Sequence, residues 1–196
     1  MIYKALIVFL FAVGLSGCLD DDDNNDVSSD SLDGTWIQPC SIDKSGNYGD
    51  SQVVINGTEW LAEFTTYNDA ECLEPLFALR AETISISGDE LTLSSGTLVT
   101  AVDHTITGVF MTPKSNLAAT PFNNNQFCGI TTWSLDKEED IGSCADFPFV
   151  AHETGYDIYK IENNRLYQGD TDTSGSGDTL EERPTSLDYE DIYQRQ

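Results

Sequence analysis

The chain has 196 residues, of which 34 are acidic and 9 are basic, so its formal net charge at pH 7 is -25. Proteins bind nucleic acids and anionic lipid headgroups through basic patches, so this charge argues against both as partners. Hydrophobic residues make up 39% of the chain, which suffices for one domain with a real core.

The first 17 residues are typical of a signal peptide. Lys4 is followed by an uninterrupted apolar run over residues 5–15. This run is too short to cross a hydrocarbon layer of roughly 30 Å, but it has the length of a signal-peptide core. The next residues, Leu15-Ser16-Gly17-Cys18, resemble a bacterial lipobox. The resemblance implies cleavage before Cys18 and acylation of that cysteine, for example with palmitate; the alternative is an ordinary secretory peptide with an incidental cysteine.

Several acyl chains would hold the protein firmly on a membrane, since each buried methylene contributes about 0.8 kcal/mol. Leu19, not Asp, follows the cysteine, which by the sorting rule of such lipoproteins implies the outer membrane, with the domain facing the periplasm or the cell surface. Residues 19–33 then contain seven Asp and almost nothing apolar. This composition predicts a disordered, extended tether over residues 18–33. Calcium capture by the Asp run is the alternative interpretation.

Four further cysteines, at positions 40, 72, 128 and 144, predict two disulfides in an exported domain. Three connectivities are open, and we favour the pairs that are nearest in sequence, Cys40–Cys72 and Cys128–Cys144. A zinc site is the alternative, but the chain has no Cys-x-x-Cys pair and only two histidines that could assist.

From residue 34 onward the pattern predicts β-structure. We expect strands over residues 34–37 and 51–56, with a hairpin turn at Asn56-Gly57. Residues 58–67 alternate between apolar and polar side chains, which is typical of a half-buried strand. A further strand over residues 77–87 is expected to end at a Gly88-Asp89 turn.

The second half of the chain continues this pattern. Residues 90–110 predict strand with breaks at residues 94–96 and near Asp103, and composition predicts an exposed loop over residues 113–125. We expect another strand over residues 126–135, then strands over residues 156–161 and 165–168 that flank a tight hairpin at Asn163-Asn164, and a last strand near residues 189–193. About eight to ten short antiparallel strands predict a single β-barrel domain over residues 34–196, with a β-sandwich as the alternative.

Short motifs add a resemblance to known families. Gly34-Thr35-Trp36 resembles the Gly-x-Trp start of lipocalin-like (calycin) barrels, in which the Trp packs across the closed end. Cys40, Trp60 and the phrase Tyr67-Asn68-Asp69-Ala70-Glu71-Cys72 resemble the ectodomain of the animal Wnt-antagonist family named for down-regulation by adenomatosis polyposis coli. The resemblance covers about residues 34–87 and implies a lipid-binding β-barrel with a hydrophobic cavity. Later segments resemble marine bacterial lipoproteins of similar size.

Large aromatic residues are the candidates for lining such a cavity. They are Trp36, Trp60, Phe64 and Trp133. The alternative is that they fill the interior, because an eight-stranded barrel is only just wide enough for side chains or one small ligand.

Residues 170–181 match the spacing of a calcium-binding loop. Oxygen ligands would come from Asp170, Asp172, Ser174, Asp178 and Glu181. Calcium requires six to eight oxygens around a sharp glycine turn, and Gly175 has the required place. Gly177 stands where an apolar anchor is usual, so an acidic loop between two strands is the alternative interpretation.

Catalysis has little support in the sequence. Ser94, Asp103 and His104 could form a triad on paper, but no Gly-x-Ser-x-Gly elbow is present. We therefore expect no enzyme, no catalytic residue and no cofactor apart from the calcium alternative. The sequence predicts a monomeric lipoprotein whose barrel binds a lipid or another hydrophobic small molecule, or else a surface structural or protein-interaction lipoprotein with a filled core.

Overall fold

The computed structural model describes residues 31–42, 46–144 and 151–196. The predicted signal peptide, Cys18 and nearly all of the predicted tether lie outside these residues. The described part forms nine strands. They are β1 (Gly34–Ile42), β2 (Tyr48–Asn56), β3 (Glu59–Tyr67), β4 (Pro75–Thr92), β5 (Leu98–Pro113), β6 (Glu139–Asp140), β7 (Thr154–Glu162), β8 (Arg165–Gln168) and β9 (Tyr193–Arg195).

Eight of these strands close into an antiparallel barrel, as the sequence predicts, and the sandwich alternative is excluded. Neighbouring strands follow the order β4-β3-β2-β1-β9-β8-β7-β5, and β4 also pairs with β5 to complete the ring. The two-residue strand β6 pairs with Phe110 and Met111 of β5, on the edge of β5 that β7 uses over Thr100 to Thr105. Closure leaves few free strand edges, which is how such sheets avoid pairing with other chains.

Two tight hairpins fall where the sequence predicts them. The β2–β3 loop has two residues, and Gly57 supplies a φ of +59° at the first of them. The β7–β8 loop is Asn163-Asn164, and both residues have positive φ, as a type I′ turn requires. Side-chain amides make Asn the residue that best tolerates this conformation after glycine.

The structure confirms the predicted break at residues 94–96 and corrects the other two, at Gly88-Asp89 and near Asp103. Gly88-Asp89 is not a turn but a shift of register inside β4, between Ser87 and Glu90. β5 runs unbroken past Asp103, and the turn that joins β4 to β5 lies at residues 94–96. β4 has 18 residues and β5 has 16, so this hairpin is the longest element of the barrel.

A covering segment over residues 114–144 replaces the predicted loop and the predicted strand. Helix α1 (Asn116–Asn125) stands where a loop was expected, and residues 126–135 form a 3-10 turn and coil instead of a strand. Trp133 lies 3% exposed in a cluster with Val109 and Met111 of the barrel wall. The Cys128–Cys144 disulfide closes a loop within this segment. The packing around Trp133 and the pairing of β6 with β5 hold the segment onto the barrel end at which β4 begins and β5 ends.

The opposite end of the barrel is closed by its own side chains. Trp36 is fully buried there, among a cluster that also contains Trp60 and Leu166. The guanidinium of Arg195 lies 4.5 Å from the Trp36 ring centre, and the Trp36 indole N–H donates to the Leu32 carbonyl at 2.8 Å. Residues 31–33, which belong to the predicted tether, therefore contact the closed end.

Both predicted disulfides are present. Cys40–Cys72 joins the end of β1 to the loop between β3 and β4, and Cys128–Cys144 lies within the covering segment. The preferred connectivity is confirmed. Within the described ranges, no helix combines the length and apolar character that a membrane crossing requires.

Candidate ligand cavity

Strand alternation directs one side chain in two toward the barrel axis. Cross-strand pairs such as Val53–Ala62 and Ala62–Ala81 lie on the same inner face. The interior holds a cavity of about 380 Å³, near the lower end of the range found for small-molecule sites. Ala62 and Ala81 are neighbours on this wall, and their short side chains leave the space open.

Most of the cavity wall is apolar. Its hydrophobic lining comes from β2 to β5 and consists of Val53, Trp60, Ala62, Phe64, Leu79, Ala81, Ile106 and Val109. Several of these side chains, including Phe64 and Leu79, are only partly buried although they point inward. The interior is therefore not filled by its own side chains.

Polar side chains line the cavity where the pairing between neighbouring strands is shortest. β8 and β9 have only four and three residues, and β9 pairs with β1 only at Trp36 and Ile37. In the described residues no ladder joins the rest of β1 to the first half of β7, so the wall has a gap there. Gln38, Asp157, Gln168 and Tyr193 line the cavity at this gap.

A hydrogen-bonded group of neutral side chains occupies one side of the gap. The Ser51 hydroxyl lies 2.7 Å from the Tyr193 hydroxyl and 3.2 Å from the side-chain oxygen of Gln38. The Gln38 amide in turn donates to Asp191 at 2.6 Å. Burial raises the pKa of Tyr193, so its hydroxyl stays protonated and available as a hydrogen-bonding group.

His104 carries the second polar group of the cavity. Its Nδ1 lies 2.7 Å from the Ser85 hydroxyl, and its ring packs edge-on against Trp60 with 4.7 Å between ring centres. Burial lowers the His104 pKa to about 4, with Arg183 adding to this effect and Asp103 opposing it. The imidazole is therefore neutral at pH 7.

Asp157 is the acidic group of the inner wall. Its Oδ1 accepts the backbone N–H groups of Ile158 at 2.7 Å and Gly169 at 3.0 Å. Burial raises the Asp157 pKa to about 6, although these two hydrogen bonds and the nearby Arg183 favour the charged form. At pH 7 the carboxylate is thus mostly ionised, but it is poised to take up a proton under mild acid.

A second, more polar pocket of about 710 Å³ adjoins the cavity. The two share His104, Ile106 and Asp157 as wall residues. Gly155 lies opposite His104 in the β5–β7 ladder, and a Cβ at this position would meet nothing within 4 Å. The absence of a side chain at Gly155 keeps this outer pocket open toward the shared wall.

The four aromatic residues predicted to line a cavity divide into two groups. Trp60 and Phe64 are among the residues that line it. Trp36 and Trp133 lie instead in the buried clusters at the closed end and under the covering segment. His104 lines the cavity and bonds to Ser85, whereas Ser94 lies exposed in the β4–β5 turn. The triad that could be written on paper is therefore not assembled.

The sequence did not single out Asp157, Tyr193 or Gln38 as site residues. Residues 156–161 were expected to be a strand, so alternation could have indicated that Asp157 lies on one of its two faces. Which face points inward depends on the pairing of this strand with β5. Tyr193 and Gln38 meet only through ring closure, which joins the two ends of the domain.

The predicted calcium loop folds back on itself and packs against β7. Asp170 Oδ1 accepts the N–H groups of Asp172 and Thr173, and the Ser174 hydroxyl accepts two backbone N–H groups from residues 185 and 186. The Asp178 and Glu181 side chains are exposed. In the described residues no three His, Cys, Asp or Glu side chains are grouped so that they could hold a metal ion. Calcium binding by this loop stays a prediction.

No known family matches this chain. A scan against protein-family models and a search of curated proteins both returned no match for the chain. The function is therefore argued from the cavity itself.

Proposed function

We propose that the protein is a membrane-anchored lipoprotein whose barrel binds a small, mainly apolar molecule with a polar end group. The observation that carries the proposal is the cavity of about 380 Å³ with a hydrophobic lining on β2 to β5. At about 30 Å³ per water-sized unit, this volume holds a ligand of about a dozen non-hydrogen atoms. The polar groups at the gap would receive the end group of such a ligand.

Two structural features support the similarity to lipocalin-like barrels. The Trp of Gly34-Thr35-Trp36 packs across the closed end beneath Arg195, and the cavity lies between this end and the covering segment. The Cys40–Cys72 disulfide joins the two cysteine positions on which the resemblance to the Wnt-antagonist ectodomain rests.

The anchoring half of the proposal rests on the lipobox at Cys18 and has its own test. Mass spectrometry of the N-terminal peptide should show Cys18 as the first residue, carrying fatty acid. Cys18→Ser should leave the leader attached and abolish acylation. A mature peptide without fatty acid that still joins Gly17 to Cys18 would contradict the anchoring proposal.

The binding half is tested by filling the cavity. Ala81→Leu adds three carbon atoms to a wall with room for them, so we expect stability within about 1 kcal/mol of wild type and loss of binding to a neutral probe, 1-decanol. The matched control is Ala101→Leu, at a buried position beneath Gly88 on the outer face, where overpacking should cost about 1–3 kcal/mol.

Ligand binding by wild type and Ala81→Leu is measured by native mass spectrometry and calorimetric titration of the full chain. Co-purified or added apolar ligand should appear on the wild type and be absent from Ala81→Leu. If Ala81→Leu destabilises the protein as much as Ala101→Leu, and no apolar probe binds the wild type, the interior is filled and the protein is instead a structural or interaction lipoprotein.

A further inference from the structure

The inner cavity and the outer pocket are two chambers that adjoin at a shared wall, and charge is unequally distributed between them. Their described lining residues include four acidic ones, Glu63, Glu153, Asp157 and Asp178. Glu63 lies between the inward-facing Ala62 and Phe64, so its carboxylate points outward, and the other three carry the acidic lining. Among the residues that the structure describes, neither lining contains a Lys or an Arg, and His104 is neutral at pH 7. An entering ligand thus meets apolar walls on one side and acidic groups on the other.

The nearest cation is already occupied by other partners. The Arg183 guanidinium donates to the backbone carbonyls of Val102 at 3.0 Å and Asp157 at 2.6 Å, and it bonds to the Asp103 carboxylate at 2.6 Å. It lines neither chamber. It therefore holds β5 to β7 and is not placed to receive an anionic end group.

Asp157 has capacity for a further donor. An ionised carboxylate has about four lone-pair sites on its two oxygens, and the two backbone N–H groups both use Oδ1. The same carboxylate belongs to the walls of both chambers, at the boundary between apolar and acidic lining. A positively charged group there would gain a charge-assisted hydrogen bond, which is stronger than a neutral one.

We propose that the end group of the ligand is a protonated amine, bound beside Asp157 with its hydrocarbon part in the inner cavity. This inference rests on the proposed binding function and narrows it to one class, cationic amphiphiles. An anionic amphiphile with the same hydrocarbon part would have to lose its hydration beside acidic groups, and the described lining residues offer no Lys or Arg to receive it. The net charge of the whole protein also draws cations toward the gap and repels anions.

The test compares three probes with the same tail: decylamine, 1-decanol and decanoate. Each is titrated calorimetrically at pH 7.5, below its micelle concentration, into the full chain held in phosphatidylcholine nanodiscs, with empty nanodiscs as the reference. We expect decylamine to bind at least tenfold more tightly than decanoate, with decanol between them.

Asp157→Asn is the matched variant, because its amide oxygen can still accept the N–H groups of Ile158 and Gly169. We expect it to fold with a melting temperature no lower than that of wild type and to bind decylamine no more tightly than decanol. Glu90→Gln removes the same unit of charge from an exposed site on β4 and should leave the preference unchanged.

The outcomes separate the two proposals. If none of the three probes binds, the binding function itself is wrong. If decanol binds but decanoate binds as tightly as decylamine, the cavity is a binding site and the inference about charge is wrong. If Asp157→Asn keeps the full preference for decylamine, the preference does not come from Asp157 and the proposed position of the amine is overturned.

Discussion

Burial of His104 predicts a measurable link between stability and pH. The folded-state pKa of about 4 lies below the ordinary value of 6.5, so the unfolded chain binds a proton at His104 more readily than the folded protein does. The contribution of His104 to the unfolding free energy is therefore fully present above pH 6.5 and is lost as the pH falls toward 4. Since one pKa unit corresponds to about 1.4 kcal/mol, the loss is at most about 3.5 kcal/mol, of which about 3 kcal/mol is reached at pH 4.

The perturbation that isolates this effect is His104→Gln. Glutamine can still hydrogen-bond to Ser85 but cannot take up a proton. Urea unfolding of wild type and variant between pH 4 and pH 8 gives the difference in unfolding free energy at each pH. We expect wild type to lose about 3 kcal/mol more than the variant on acidification. A difference that does not change with pH would refute the placement of a neutral, buried imidazole in the cavity wall.

Asp157→Asn is a control, because the contribution of Asp157 to stability changes with pH in the opposite direction from that of His104. The Asp157 pKa is raised to about 6, so the folded protein binds this proton more readily than the unfolded chain, and wild type loses stability relative to Asn as pH rises from about 4 to 6. The two groups therefore partly cancel in wild type. Each contribution is therefore seen only when the unfolding free energy of the variant is subtracted from that of wild type at each pH. Both differences should be independent of pH above pH 7.

Two further predictions concern the packing of the barrel. Replacing Cys128 and Cys144 by alanine should lower the unfolding free energy measured in urea by about 3 kcal/mol, since the bond closes a loop of sequence separation 16; a loss below about 0.5 kcal/mol would contradict this. Gly49→Ala should cost about 1–3 kcal/mol, because its Cβ would lie 2.6 Å from the Phe64 ring. Gly155→Ala, which meets no atom within 4 Å, is its control and should change melting temperature little.

Local patterns were sufficient to predict much of the sheet. The alternation of residues 58–67 and the Asn163-Asn164 turn depend only on neighbours in sequence, and both predictions are confirmed. Gly88-Asp89 has the composition of a turn, but the strand continues because Glu90 finds Thr100 as a partner across the ladder. That pairing is set by the opposite strand and cannot be seen in the segment alone.

Helix α1 could not be predicted from periodicity. Only Ala118 and Ala119 are buried in it, and Pro121 lies inside it, so it carries no apolar stripe of helical spacing. Its position depends on Phe122, whose ring packs against Trp133 and Phe127 of the covering segment. The predicted strand over residues 126–135 was wrong for the same reason, since its apolar residues pack onto a barrel end and not into a ladder.

The cavity depends on contacts that no short segment contains. Ala62 and Ala81 lie opposite each other only in the register of β3 and β4, and His104 meets the outer pocket only because β5 pairs with β7. The aromatic residues were a partial guide. Trp60 and Phe64 line the cavity, but equally large side chains at positions 36 and 133 seal the two ends.

The polypeptide enters the barrel at its sealed base, where Arg195 bonds to the carbonyls of Ser31 and Asp33. A fatty-acyl group on Cys18 would thus fasten the molecule by its floor. The twelve residues from position 19 to position 30, between that cysteine and the segment bonded to the base, can reach at most about 40 Å when stretched. A chain of that length would let the opening between β1 and β7 meet the surrounding fluid, an apposed surface or the supporting leaflet.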